Sequence, residues 1–148
     1  MIKPYSGPKI VVPAEDHKNG HWRFPEQMGG AEYEGFIYVM LHKPTGARYL
    51  GKKTYRSRTG ATSAWKSYTS SSEKVLKWIE QTAPSEWEFV CIEQYKTKGG
   101  LSYAETWSLC HADAPAKDCW LNKRIEEISW KAKERRSARH IERLEEFM

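Results

Sequence analysis

Between Gly35 and Ser72 the chain contains not one Asp or Glu, while Lys43, Arg48, Lys52, Lys53, Arg56, Arg58 and Lys66 all fall there. A solvated face normally mixes both signs, so a one-sign stretch of this length points to a polyanion, nucleic acid first. An anionic membrane surface fits less well, because the stretch has no amphipathic helical period. Long apolar runs are also missing, and none approaches the roughly 20 residues that span a bilayer. The opening MIKPYSGPKIVVPAEDHK lacks the apolar core and small-residue cleavage site of a secretory signal. Together these absences predict a soluble, cytoplasmic protein without a membrane partner. Cysteine is scarce as well: Cys91, Cys110 and Cys119 are an odd number with no CxxC spacing. Reduced, mostly buried thiols are expected. Cys110, His111 and Cys119 fit no common zinc module.

What is present is enough for a core. The chain has 148 residues, 39% apolar and 13% aromatic, which excludes wholesale disorder and suits one domain with an arm at either end. Residues 1–34 hold four of the seven prolines and the pair Gly29-Gly30, so they read as an irregular arm with one short strand over 9–12. Apolar runs over 36–41 and 47–54 flank a Pro-Thr-Gly turn and read as a hairpin. A loop follows over 55–72 with a short helix around 64–68. Ser70, three residues before Glu73, marks a helix start, and Val75, Leu76 and Ile79 give that helix its apolar face. The alternation over 87–95 is a strand, and Gly99-Gly100 ends that unit. A helix over 102–111, a loop over 112–117 and a charged helix over 123–148 complete the chain. The fold class is α/β of the α+β kind: a small mixed sheet of about three strands flanked by helices.

The hairpin carries Phe36-Ile37-Tyr38 on one strand and "YLGKK", Tyr49 to Lys53, on the other; "SAWKSYTSSS" follows at Ser63. This pattern resembles the GIY-YIG nuclease superfamily, and most closely its mainly phage-encoded SegE-like endonucleases. The resemblance covers roughly residues 35–122, leaving 1–34 as the arm and 123–148 as a basic C-terminal helix. Phe36 stands where the family's first Gly usually does, directly after Gly35, and Thr69 replaces a Gly before the Ser pair. The helical Arg of many members has no clean counterpart; Arg56, Arg58 and Lys66 are the candidates for that phosphate clamp.

The resemblance implies a metal-dependent DNA endonuclease that hydrolyses phosphodiester bonds with one Mg²⁺ (or Mn²⁺), in a phage homing, nicking or DNA-degrading role. It implies a catalytic set of Tyr38, Tyr49, Lys53, Lys66, Glu105 and Asn122. Glu105, on "LSYAETW", would be the metal carboxylate; one can suffice for a hard cation when phosphate and water complete the shell. The competing reading makes Ser102 and Glu105 a capping box. Tyr38 would act on the attacking water as general base or positioning group. A free phenol titrates near 10, and Lys52 or Lys53 nearby would lower that value. Without the resemblance, both tyrosines are ordinary strand residues with a buried ring and a wet hydroxyl.

Tyr49 would hold the scissile phosphate. Lys66 and Tyr68, with Ser70 and Ser71, would line the DNA backbone, joined by Lys52, Arg56 and Arg58. Asn122 would brace the site or cap the last helix. Over 131–143 the positive charge predominates, so that helix could dock on the domain, pair with a second protomer, or lie along DNA through Arg135 and Arg136. A homodimer and two sequential nicks are the two routes to a double-strand cut. Trp65 is the tryptophan singled out for base stacking, and His42 lies at the hairpin turn with no role assigned. Two alternatives stay open: a nucleic-acid-binding protein on a decayed GIY-YIG fold, and a basic adaptor that binds a host protein through its last helix.

Overall fold

The central strand is apolar at nearly every position, which requires cover on both faces. In the computed structural model, which describes residues 16–123 and 134–148, it has that cover. Strand β1 (Gly35–His42) is buried along its whole length. It lies between β2 (Arg48–Thr54) and β3 (Trp87–Tyr95) in the order β2-β1-β3. Both pairings are antiparallel, so the sheet is antiparallel throughout rather than mixed.

One face of β1 sends Ile37, Val39 and Leu41 into a core shared with Leu50, Val90, Ile92, Leu101 and Leu109. The other face sends Phe36, Tyr38 and Met40 into an aromatic core with Trp22, Phe24, Tyr55 and Trp65. The register pairs Tyr38 with Gly51 and Met40 with Tyr49. Against β3 the register slips between Ile37 and Tyr38, giving a bulge beside Tyr38. Bulges raise local twist and re-aim a side chain.

Helix α1 (Glu73–Glu80) buries Val75 and packs on the aromatic side. Its N-cap is Ser72, not Ser70, whose hydroxyl instead accepts from the Ser72 N–H at 2.9 Å. Helix α2 (Lys98–His111) begins a turn earlier than expected. The Thr97 hydroxyl accepts from Gly100 N–H at 3.0 Å and is the cap, so Gly99 and Gly100 lie inside the first turn rather than ending the preceding unit. The reason is tertiary. The Glu134 carboxylate accepts from the N–H groups of Lys96 and Thr97, and a side chain at Gly100 would collide with it.

The last helix is shorter than expected. Helix α3 (Ala138–Glu145) starts at the Ser137 cap, and residues 134–137 are not helical. It docks on β3: Leu144 and Phe147 enter the first core, and Arg139 pairs with Glu93 at 2.8 Å and Glu26 at 2.6 Å. The remaining span of the expected helix, 124–133, and the expected strand at 9–12 lie outside the described residues. Of the thiols only Cys91 is buried; Cys110 is exposed and Cys119 half-buried, and no disulfide forms. Among the described residues no helix is long and apolar enough to cross a membrane, and no three His, Cys, Asp or Glu gather as a metal cluster.

Candidate active site

Alternation along β2 puts Tyr49, Gly51 and Lys53 on one face and Leu50 and Lys52 on the other. The first set shares its face with Tyr38. The Tyr38 ring sits 6.4 Å from that of Tyr49 and 6.2 Å from that of Tyr68, the latter nearly perpendicular at 82°. Across the strands it lies over Gly51, where a Cβ would come within 2.5 Å of the Tyr38 hydroxyl and 2.6 Å of Cζ. Only glycine leaves that space. Lys53 Nζ stands 4.3 Å above the Tyr68 ring, a cation–π contact.

Ser70 lies within hydrogen-bonding reach of both the Tyr38 and Tyr49 phenols. Burial pushes the Tyr38 hydroxyl well above the usual phenol range, with Tyr49, Tyr68 and Glu105 adding to the rise against Ser70. Tyr49 is raised in the same way, by burial first and then by Glu105 and Tyr68 against Ser70. Glu105 on α2 therefore shares its electrostatic environment with both phenols. The expectation that a lysine would lower Tyr38 is corrected. Lys52 points to the opposite face and donates to Ser102 Oγ at 2.8 Å, while Lys53 is taken up by Tyr68. Tyr38 is thus a neutral O–H near pH 7.

The capping-box reading of Glu105 is removed as well. Thr97 caps α2, and Ser102 lies inside the helix accepting from Lys52, so Glu105 is not at an N3 position. Asn122 has the role of brace: its Oδ1 accepts from Leu50 N–H at 2.9 Å and its Nδ2 donates to Leu50 C=O at 2.8 Å. Its amide thereby imitates a neighbouring strand on the outer edge of β2, between Tyr49 and Gly51. The residues its backbone would cap lie beyond those described.

Other expected site residues are elsewhere. Lys66 lines a cavity with Arg56 and Tyr55. Arg56 donates to the carbonyls of Gly30 and Tyr33. Arg58 and Ser71 are exposed, the former at the tip of a small hairpin closed by an Arg56–Thr62 bridge. Arg135 is exposed. The Arg136 guanidinium lies over the rings of Tyr95, Tyr103 and Trp107 and donates to the Tyr95 hydroxyl at 3.0 Å. Trp65 is buried at 7% exposure; its ring packs edge-on against Phe36 and Tyr55, and the residue also lines that cavity. His42 pairs with Glu86 at 2.8 Å and Thr45 at 2.7 Å, at the end of β1 away from Tyr38.

Two contributors carry no signal in the sequence. Trp22 packs 4.8 Å from the Tyr38 ring, and His21 stacks on Phe89 and hydrogen-bonds the Tyr68 carbonyl at 2.8 Å. Both sit in the arm, where no periodicity marks a core residue.

A three-stranded antiparallel sheet flanked by helices, with Tyr38 and Tyr49 on one face, defines the class: an α+β domain. The chain matches the family model described as "Putative endonuclease segE, GIY-YIG domain" over residues 22–125. It belongs to that family, the SegE-type GIY-YIG endonuclease domains. A search of the curated proteins and one of the solved structures each find no significant match.

Proposed function

We propose that this chain is a metal-dependent endonuclease that hydrolyses DNA phosphodiester bonds at the Tyr38–Tyr49–Tyr68 cluster. The observation that carries the reading is the cluster itself: the Tyr38 ring lies 6.4 Å from that of Tyr49 and 6.2 Å from that of Tyr68, directly over Gly51, with Lys53 Nζ 4.3 Å above Tyr68. Three phenols, a hydroxyl and one carboxylate are all oxygen donors, the set that suits a hard cation and not a soft one. Glu105 would hold Mg²⁺ or Mn²⁺, which would supply positive charge to the phosphate in the transition state.

This chain's own groups do the rest. Neutral Tyr38 orients the attacking water by hydrogen bonding rather than by standing as a phenolate, because burial disfavours the anion. Tyr49, half-buried, presents its hydroxyl to a non-bridging phosphate oxygen. Lys53, held over Tyr68, supplies the cation that balances the phosphate on the same face. Asn122 keeps β2 straight between Tyr49 and Gly51 so that the two phenols stay in register.

The test is a plasmid-nicking assay with wild type, Glu105→Ala and Tyr38→Phe, each in Mg²⁺, Mn²⁺ and EDTA. The proposal expects supercoiled DNA to be nicked only by wild type and only with a divalent cation. If wild type binds plasmid, branched and single-stranded DNA yet cuts none of them, the reading is wrong and the fold is a binding module.

A further inference from the structure

The arm and the turn at 65–67 enclose a cavity of about 400 Å³ that the phenol cluster does not use. Its wall carries Lys18, Arg56 and Lys66 and no carboxylate, and its floor is made by Met28, Tyr55 and Trp65. An apolar floor under a few convergent cations is the usual build of a small-ligand site.

The wall is held rigidly. Trp22 Nε1 donates to the Trp65 carbonyl at 2.6 Å, and His21 N–H donates to the Lys66 carbonyl at 3.1 Å. Gly20, with φ of 67°, passes so close to Lys66 that a Cβ would strike its carbonyl oxygen. Lys66 is two residues before Tyr68, whose ring touches Tyr38. Two residues span at most about 7 Å, so the backbone of the cavity wall at Lys66 lies close to that of Tyr68.

We infer that this cavity takes one unstacked nucleotide of the DNA strand that reaches the phenol cluster. Lys18 and Lys66 take its phosphate, and the Met28–Tyr55–Trp65 floor takes its base. Arg56 holds the arm in place through Gly30 and Tyr33. A base held in a paired duplex cannot enter, so the cavity makes the protein prefer single-stranded or locally unpaired DNA. This rests on DNA being the substrate, as proposed above.

The test measures binding in EDTA, where no bond is cut. Fluorescence anisotropy would follow a labelled single strand of about 12 nucleotides and the blunt duplex of the same sequence. Thr62→Trp and Gln27→Trp each fill the cavity from an exposed lining position. The expected result is a loss of about tenfold in single-strand affinity for both fillers, with duplex affinity changed less than about threefold. Lys18→Ala should lower the single-strand salt slope by about one.

Thermal melting checks that each filler is folded, and the second filler stands in if the first is not. Unchanged single-strand affinity in a folded filler overturns the inference, as does an equal fall for both substrates. Absent cleavage in Mg²⁺ and Mn²⁺ would sink the endonuclease reading while leaving this binding difference intact. A filler that binds like wild type, in a protein that does cut plasmid, sinks the cavity alone.

Discussion

At the scale of single residues the site turns on the contact between Tyr38 and Gly51. A methyl at Gly51 has no room unless the Tyr38 ring moves, so Gly51→Ala should abolish cleavage. It should also cost about 1–3 kcal/mol by urea unfolding, the usual range for overpacking. Wild-type activity in that variant would show that the ring position is unimportant. Tyr38→Phe removes only a buried hydroxyl within reach of Ser70. It should reduce stability by about 1 kcal/mol or less while lowering the cleavage rate ~10²-fold or more. A rate within a factor of three of wild type would remove Tyr38 from the chemistry. The tyrosines, Gly51 and Lys53 were legible through the resemblance carried by Phe36-Ile37-Tyr38 and "YLGKK". Trp22 and His21 were not, because nothing in a proline-rich arm says which ring it will meet.

At the scale of elements, two side chains act as pieces of secondary structure. Asn122 replaces a neighbouring strand at the edge of β2, making two hydrogen bonds to Leu50. Asn122→Ala should cost about 2 kcal/mol, since two buried backbone groups lose their partners. Amide exchange at Leu50 should quicken at the same time; unchanged protection there would refute the brace. Glu134 closes the start of α2 from 37 residues away by bonding Thr97. Glu134→Ala should destabilise by roughly 1 kcal/mol, with faster exchange over the first turn of α2 and none elsewhere.

The α2 start was misjudged from the sequence for this reason. Gly99-Gly100 has the composition of a break, and Ser102 with Glu105 has the spacing of a cap. The helix begins earlier because Thr97 and Glu134 together supply the acceptors that its first N–H groups need.

At the scale of the whole molecule, α3 ties the two ends of the described chain to the sheet. Arg139 bridges Glu26 of the arm and Glu93 of β3. Burial alone would raise Glu93, but Arg139 and Ser137 bond it and hold it below the usual range. Beside this pair a hydrogen-bonded line runs inward. Arg136 Nε donates to the Tyr95 hydroxyl, that hydroxyl pairs with His140 Nδ1 at 2.9 Å, and His140 Nε2 pairs with Ser108 Oγ at 2.7 Å.

His140 is fully buried, and burial, helped by Arg136, lowers its pKa to about 4. The unfolded histidine titrates near 6.5, so the unfolded state takes up this proton first as pH falls. The stability His140 contributes is complete above pH 6.5 and is lost between there and about pH 4, by roughly 3 kcal/mol. Urea unfolding at pH 7, 5.5 and 4.5 checks this, and His140→Gln should flatten the profile. An equally steep profile in that variant would place the proton uptake elsewhere.

The sequence by itself determined the sheet, because a strand apolar on both faces must lie between others, and the alternation of β2 must put Tyr49, Gly51 and Lys53 on one side. It also determined the sign of charge over 35–72, since a stretch without acids stays positive however it folds. Tertiary structure alone decided which cation meets which phenol, where α2 begins, and how the 65–70 segment is shared. Lys66 entered the catalytic set through the resemblance, as one of three candidates for the helical Arg. It faces the cavity because His21 and Gly20 grip its backbone from the arm, and a contact across more than forty residues leaves no trace in local spacing.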